Sequence, residues 1–154
     1  MSFTISEAAA LMGVTASTLR YYDKEGLLPN IRRLGGQRVF EEADLRMLSL
    51  LMCLKNTGMP LRHIREYVKM TQEGDSTLQA RCELIRNQRQ FVMDQMEQLQ
   101  NYLDLLDFKD WYYKKALEAG TEKGIDFADY ERETGRPAPE VDTPDGERES
   151  GSEA

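Results

Sequence analysis

From Leu78 onward the apolar positions are 78, 82, 85, 92, 96, 99, 103 and 106, a run of alternating four- and three-residue steps. Arg89 fills the one vacant place in that run. Steps of four and three average 3.5 residues, the repeat of a coiled coil and not the looser stripe of a surface helix. The pattern therefore predicts a long helix with one seam made of Leu78, Cys82, Ile85, Val92, Met96, Leu99, Leu103 and Leu106. At 1.5 Å per residue, a helix over 77–108 would be about 48 Å long, more than a small domain can cover. A second copy of the chain is the economical partner. Arg89 should then meet an Asp or Glu of that partner, because an unpaired buried charge is too costly.

The N-terminal part predicts shorter elements. "SEAAALMG" reads as a helix with Ser6 as N-cap, Glu7 in the first turn and Gly13 as the stop. A tight turn leads to "ASTLRYYDKEG", which Thr15 can cap and Gly26 can end. Two short helices joined by a Gly-containing turn form a helix-turn-helix signature. "IRRLGGQRVF" then reads as two strands around a Gly-Gly turn, a wing. A third helix, about 41–56, is apolar almost all round between Met47 and Leu54 and should be the buried centre. "NTGMPL" ends it, and Pro60 suits the first turn of a fourth helix reaching Gly74. Ser76 is placed to cap the long helix.

Beyond the seam, "FKDWYYKKALEA" over 108–119 predicts a short aromatic helix docking back near the dimer seam. The sequence after Gly120 loses periodicity, and from about Thr134 its Pro, Gly, Glu and Asp content predicts disorder. The expected division is a winged helix-turn-helix domain over 1–74, a coiled-coil helix and short helix over 75–119, and an acidic, largely disordered tail over 120–154. The fold class is mainly α.

Charge sharpens the division. Residues 1–69 carry 10 Lys/Arg against 7 Asp/Glu, residues 70–120 carry 6 against 9, and residues 121–154 carry 4 against 11. The net charge of −7 therefore conceals a basic N-terminal half, for which a polyanion is a plausible partner. No run approaches the ~20 apolar residues of a membrane span, and the N-terminus lacks a basic region ahead of its apolar part. Two cysteines without a secretion signal point to a reducing cytoplasm. One histidine, His63, and no Gly-rich phosphate loop offer no catalytic constellation, so no enzyme, cofactor or metal site is expected.

"ISEAAALMGVTASTLRYYDKEGLL", the wing "GGQRVF" and "LKNTGMPLRHI" resemble the MerR family of bacterial transcription regulators over about residues 3–110. The resemblance implies a winged helix-turn-helix whose second helix enters the major groove, and an antiparallel coiled coil joining two such domains. Thr15, Ser17, Thr18, Arg20 and Tyr21 would face double-stranded promoter DNA, with Arg32, Arg33 and Arg38 of the wing gripping the backbone. Tyr22, about 100° further round, would support the core. The implied mechanism realigns two promoter elements for RNA polymerase by deforming the duplex.

What would be sensed is less constrained. No Cys follows Cys82, against the metal-sensing members, and too little chain follows Phe108 for the large drug-binding domain of others. Cys53 on residue physics alone reads as a small core hydrophobe, although Lys55 and Arg62 could favour its thiolate. "CLKNTGM" is similar to a subgroup that answers aldehydes and other electrophiles through a lone cysteine there, which makes Cys53 the candidate sensor. A purely architectural DNA-bending protein is the alternative.

Overall fold

The structure, a computed structural model, describes residues 1–140. Its elements run β1 (Ser2–Thr4), α1 (Ile5–Met12), α2 (Ala16–Lys24), β2 (Arg32–Leu34), β3 (Gln37–Glu41), α3 (Glu42–Asn56), α4 (Leu61–Glu73), α5 (Leu78–Ala119) and α6 (Phe127–Thr134). The chain divides into two compact units, Met1–Asp94 and a second beginning at Gln95. The first turns of α5 therefore belong to the N-terminal unit, not to a separate segment starting at 75. Leu84 and Ile85 pack on that unit's core, and Gln88 Nε2 donates to Thr57 Oγ1 at 2.8 Å.

In the first unit, β1 and β2 flank β3 in an antiparallel sheet, with Phe3 opposite Phe40 and Arg33 opposite Arg38. The strand β1 is absent from the sequence reading, and it moves the start of the first helix. Thr4, not Ser6, is the N-cap. Its Oγ1 accepts from the Glu7 backbone N–H at 3.3 Å, while the Glu7 carboxylate accepts from the Thr4 N–H at 2.7 Å. This reciprocal box follows from the Thr-x-x-Glu spacing, and a cap of this kind is worth ~1 kcal/mol. The bonds from the Thr4 backbone and hydroxyl hold the Glu7 carboxyl below its ordinary range. Ser76 likewise caps nothing at α5; it lies in a 3-10 turn over Asp75–Thr77.

The core gathers Leu19, Leu27, Phe40, Leu48, Leu51 and Ile64, each at most 2% exposed. Burying one such side chain contributes ~1.5–3 kcal/mol. Helix α3 is not buried all round. Leu48, Leu51 and Leu54 face inward at three-residue steps, Leu50 and Met52 are half-buried, and Cys53 is exposed. A helix lying on one side of a small domain can bury only one stripe.

In the second unit, residues 108–119 continue α5 without a break, so the expected separate aromatic helix does not form. No Pro or Gly interrupts 78–119 to end it earlier. The stretch expected as a largely disordered tail over 120–154 contains α6, capped by Asp126 and ended by Gly135. Tyr130 of α6 is buried against Phe108 and Trp111, with ring centroids 5.1 and 5.3 Å away. Trp111 Nε1 donates to Glu133 at 2.9 Å, Lys115 pairs with the same carboxylate at 2.7 Å, and Arg136 reaches Asp107 at 3.1 Å. A few aromatics thus anchor an otherwise acidic segment. Residues 141–154 of the expected tail lie outside the described residues. Among the described residues no helix is long and apolar enough to cross a membrane.

Candidate nucleic-acid interface

Helix α2 forms because Thr15 supplies its N-cap: Oγ1 accepts from the Thr18 N–H at 3.1 Å. The two hydroxyls of Thr15 and Thr18 also share a hydrogen bond of 2.9 Å. Of the residues expected to face DNA here, Ser17, Arg20 and Tyr21 are exposed on one side of α2, while Thr15 and Thr18 are partly committed to the cap. Tyr22 is buried at 3% exposure, and Lys55 Nζ lies 5.5 Å above its ring. The adjacent tyrosines therefore divide between core and surface, as the 100° step requires.

The wing is a β2–β3 hairpin turned by Gly35 and Gly36 at φ 56° and 81°, values that the missing Cβ permits. Arg33 and Arg38 stand opposite each other on the two strands, and both reach one carboxylate on α2. Asp23 Oδ2 accepts from Arg38 Nε at 2.7 Å and from Arg33 Nη2 at 3.2 Å. Arg38 Nη2 also lies 2.7 Å from Asp23 Oδ2, so the guanidinium presents its Nε–Nη2 edge to the carboxylate and leaves Nη1 for an external acceptor. Arg32 pairs with Glu41 at 2.8 Å on the outer edge of the sheet. Three wing arginines are thus fixed in place by two carboxylates.

A hollow of about 430 Å³ opens between the start of α1, the exposed side of α2 and the wing turn. Thr4, Ser6, Arg20, Gly36, Gln37 and Arg38 line it. The Ser6 hydroxyl, the Gln37 amide and the guanidinium groups of Arg20 and Arg38 among its lining are the donor types that contact a phosphate backbone. Among the described residues no hydrogen bond or ion pair engages Arg20, which is exposed at its edge. Gln37 and Asp23 were not singled out by the sequence, and Ser6 was named only as a helix cap. Asp23 had a signal, its place directly after the two tyrosines; Ser6 and Gln37 become visible only once β1 and the wing come together.

The remaining candidates lie elsewhere. Leu78, Met96, Leu99, Leu103 and Leu106 are 49–64% exposed along α5, Cys82 is exposed, and Ile85 and Val92 are half-buried. Cys53 is exposed in the last turn of α3, and the two cations considered for it are engaged with other groups. Lys55 lies over Tyr22, and Arg62 Nε contacts His63 Nε2 at 3.4 Å. Among the described residues no group of three or more His, Cys, Asp or Glu side chains could hold a metal ion.

Residues 3–71 match the family description "MerR HTH family regulatory protein", and residues 45–107 match "MerR, DNA binding". An uncharacterized HTH-type transcriptional regulator of Haemophilus influenzae is 46% identical over 128 residues, covering 82% of this chain and 95% of that protein. The chain belongs to the MerR family. It is a transcriptional regulator with a DNA-binding winged helix-turn-helix, of mainly α fold with a long C-terminal helix. The fold agrees with a crystal structure of HiNmlR, a MerR family regulator lacking the sensor domain, bound to promoter DNA. That match has a TM-score of 0.73 at 47% identity and covers 81% of this chain and 100% of the other. A MerR family transcriptional regulator from Listeria monocytogenes matches with a TM-score of 0.72 at 34% identity, over 85% of this chain and 98% of that one. In this MerR-family chain, α1 and α2 form the helix-turn-helix and β2–β3 the wing.

Proposed function

We propose that this protein is a cytoplasmic, homodimeric regulator that grips double-stranded promoter DNA through α2 and the wing, deforming the duplex for RNA polymerase. The convergence of Arg20, Arg38 and Gln37 around the hollow beside α1 carries the DNA side of this reading. Ser17, Tyr21 and Arg33 extend the same face, Arg32 stands on the opposite side of the wing, and Thr15 and Thr18 shape the start of the helix. The dimer reading rests on the apolar seam of α5, in which Leu78, Met96, Leu99, Leu103 and Leu106 are 49–64% exposed among the described residues. The protein performs no catalysis in this scheme.

Cys53 is the proposed sensor of aldehydes or other electrophiles. Its exposure replaces the reading of Cys53 as a small core hydrophobe. An accessible thiol suits an external electrophile, and a route to α5 starts from the same residue. The Cys53 carbonyl accepts from the Thr57 N–H at 3.0 Å, and Gln88 of α5 donates to the Thr57 hydroxyl. An adduct that disturbs the end of α3 would therefore reach the long helix through Thr57 and Gln88. Coupling of ~1–3 kcal/mol between such sites suffices to shift a balanced equilibrium.

A second reading, a DNA-bending regulator with no thiol sensor, is favoured by the engagement of Lys55 and Arg62 away from Cys53 and by the likeness to HiNmlR. Induction of a reporter promoter by graded formaldehyde or methylglyoxal separates the two. Cys53→Ser should bind DNA as the parent does and lose the response, while Cys82→Ser should keep it. Equal induction in both variants removes the sensor role.

A further inference from the structure

The seam of α5 continues past Leu106. The next four- and three-residue steps fall on Asp110, Tyr113 and Leu117, and the helix runs without interruption to Ala119. Tyr113 and Leu117 are 52% and 82% exposed, so the uncovered apolar stripe also extends this far. The complete seam from Leu78 to Leu117 then has two charged members, Arg89 and Asp110. They have opposite sign, and they stand ten residues before and eleven residues after Leu99.

That symmetry selects an arrangement of two copies. In a parallel pair in register, Arg89 would face Arg89 and Asp110 would face Asp110, two like-charge contacts inside an apolar seam. Turning one helix round brings opposite charges together instead. With seam positions alternating a and d, antiparallel helices set each a residue level with a d residue of the other copy. Near Leu99, two registers do this: Leu99 level with Met96, or Leu99 level with Leu103. In both, Arg89 of one copy stands one layer, about 5 Å along the axis, from Asp110 of the other. The length and flexibility of an arginine side chain cover that offset. Charged residues at seam positions set register and orientation at a cost in stability, which is the use best attested for such groups.

We propose that Arg89 of each copy pairs with Asp110 of the second copy, and that these two ion pairs fix the orientation and register of an antiparallel dimer. This rests on the dimer proposed above. Arg89 is exposed and, among the described residues, takes part in no hydrogen bond or ion pair. Asp110 accepts from Lys114 at 2.6 Å one turn along the same helix, a contact between two largely exposed groups that leaves room for a second donor. Both are therefore available to a second copy.

The test is sedimentation equilibrium of the full chain, its Arg89→Glu and Asp110→Arg variants, and an equimolar mixture of the two. Each variant alone sets like charges against each other at two places in an antiparallel dimer. Its dimer dissociation constant should rise about tenfold or more, a change of ~1.4 kcal/mol or more. In the mixture every contact again joins opposite signs, so heterodimers should form with nearly the parent's affinity, which also shows that both variants remain folded. Variants as dimeric as the parent would overturn the proposal, since a parallel pair only exchanges one like-charge contact for another. Weakened variants that fail to associate on mixing, with helix content unchanged by circular dichroism, would overturn it too. A parent that is monomeric throughout would overturn the dimer itself.

Discussion

Two surfaces of this chain are left unfinished, and they differ in what they lack. The exposed side of α2 and the wing carries more hydrogen-bond donors than its own acceptors use: Arg20 has no partner among the described residues, and Asp23 serves both Arg33 and Arg38. The seam of α5 has the opposite deficit, with Met96, Leu99 and Leu106 each 64% exposed. A surplus of cationic donors calls for a polyanion, and a periodic apolar stripe calls for another such stripe. The two surfaces should therefore respond separately to substitution, provided each is probed without disturbing the other.

The largest effect is expected on the seam. Leu99→Asp puts a carboxylate at its middle, where pairing would leave the charge poorly solvated. Sedimentation at micromolar concentration should show monomers, with the melting of the N-terminal unit unchanged. A fully dimeric Leu99→Asp would remove α5 as the dimer element.

Asp23 offers a subtler probe of the other surface, because removing a negative charge would by simple attraction strengthen DNA binding. If Asp23 instead orients Arg38, then Asp23→Asn should weaken binding, by up to the ~1–3 kcal/mol typical of a lost arginine contact. The loss should vanish when Arg38 is already alanine, since effects that act through one residue are not additive. Tighter binding by Asp23→Asn would make the carboxylate a competitor and not a positioner.

The smallest effect concerns the C-terminal unit. Hydrogen bonds from Lys115 and then Trp111 hold the Glu133 carboxyl below its ordinary range, and the bond to Glu133 raises Lys115. Because the Glu133 value is lowered on folding, its contribution is present above the ordinary carboxylate pKa of ~4.3 and is lost as pH falls through the lowered value. The Lys115 contribution is lost at the other extreme, as pH rises through its raised value. Trp111 is the sole tryptophan, so its fluorescence reports this contact directly. The signal should be flat from neutral pH down to the ordinary carboxylate range and change below it. A midpoint above that range would place the carboxylate in a different setting.

How much of this was legible depended on whether the signal was local. The 3.5-residue repeat, the Thr15 cap and the Gly35–Gly36 turn are local signals, and a long helix, a capped α2 and a hairpin form at those places, although α5 runs to Ala119 and not to about 108. β1 was missed because three residues carry no period, and its presence moved the N-cap from Ser6 to Thr4. α6 was missed because acidic composition outweighed Ile125, Phe127 and Tyr130, whose value depends on the distant Phe108 and Trp111. The exposure of Cys53 was hidden by its apolar neighbours: a run of Leu and Met does not reveal which side of a helix the domain covers. At the candidate interface, Arg20, Tyr21 and Arg38 are named from sequence as DNA-facing, and the structure leaves Arg20 and Tyr21 exposed and sets Arg38 against Asp23. The carboxylate that holds the wing and the hollow beside α1 required the fold.

The claim that α2 and the wing form a phosphate-binding face is tested by promoter-fragment affinity as a function of salt. For the parent, log K should fall linearly with log salt, at a slope of ~0.9 per phosphate neutralised. Arg20→Ala and Arg38→Ala should each weaken binding with the dimer intact, and each should reduce the slope by about 1. Slopes identical to the parent's in both variants would contradict the claim, because the cations at this face would then touch no phosphate.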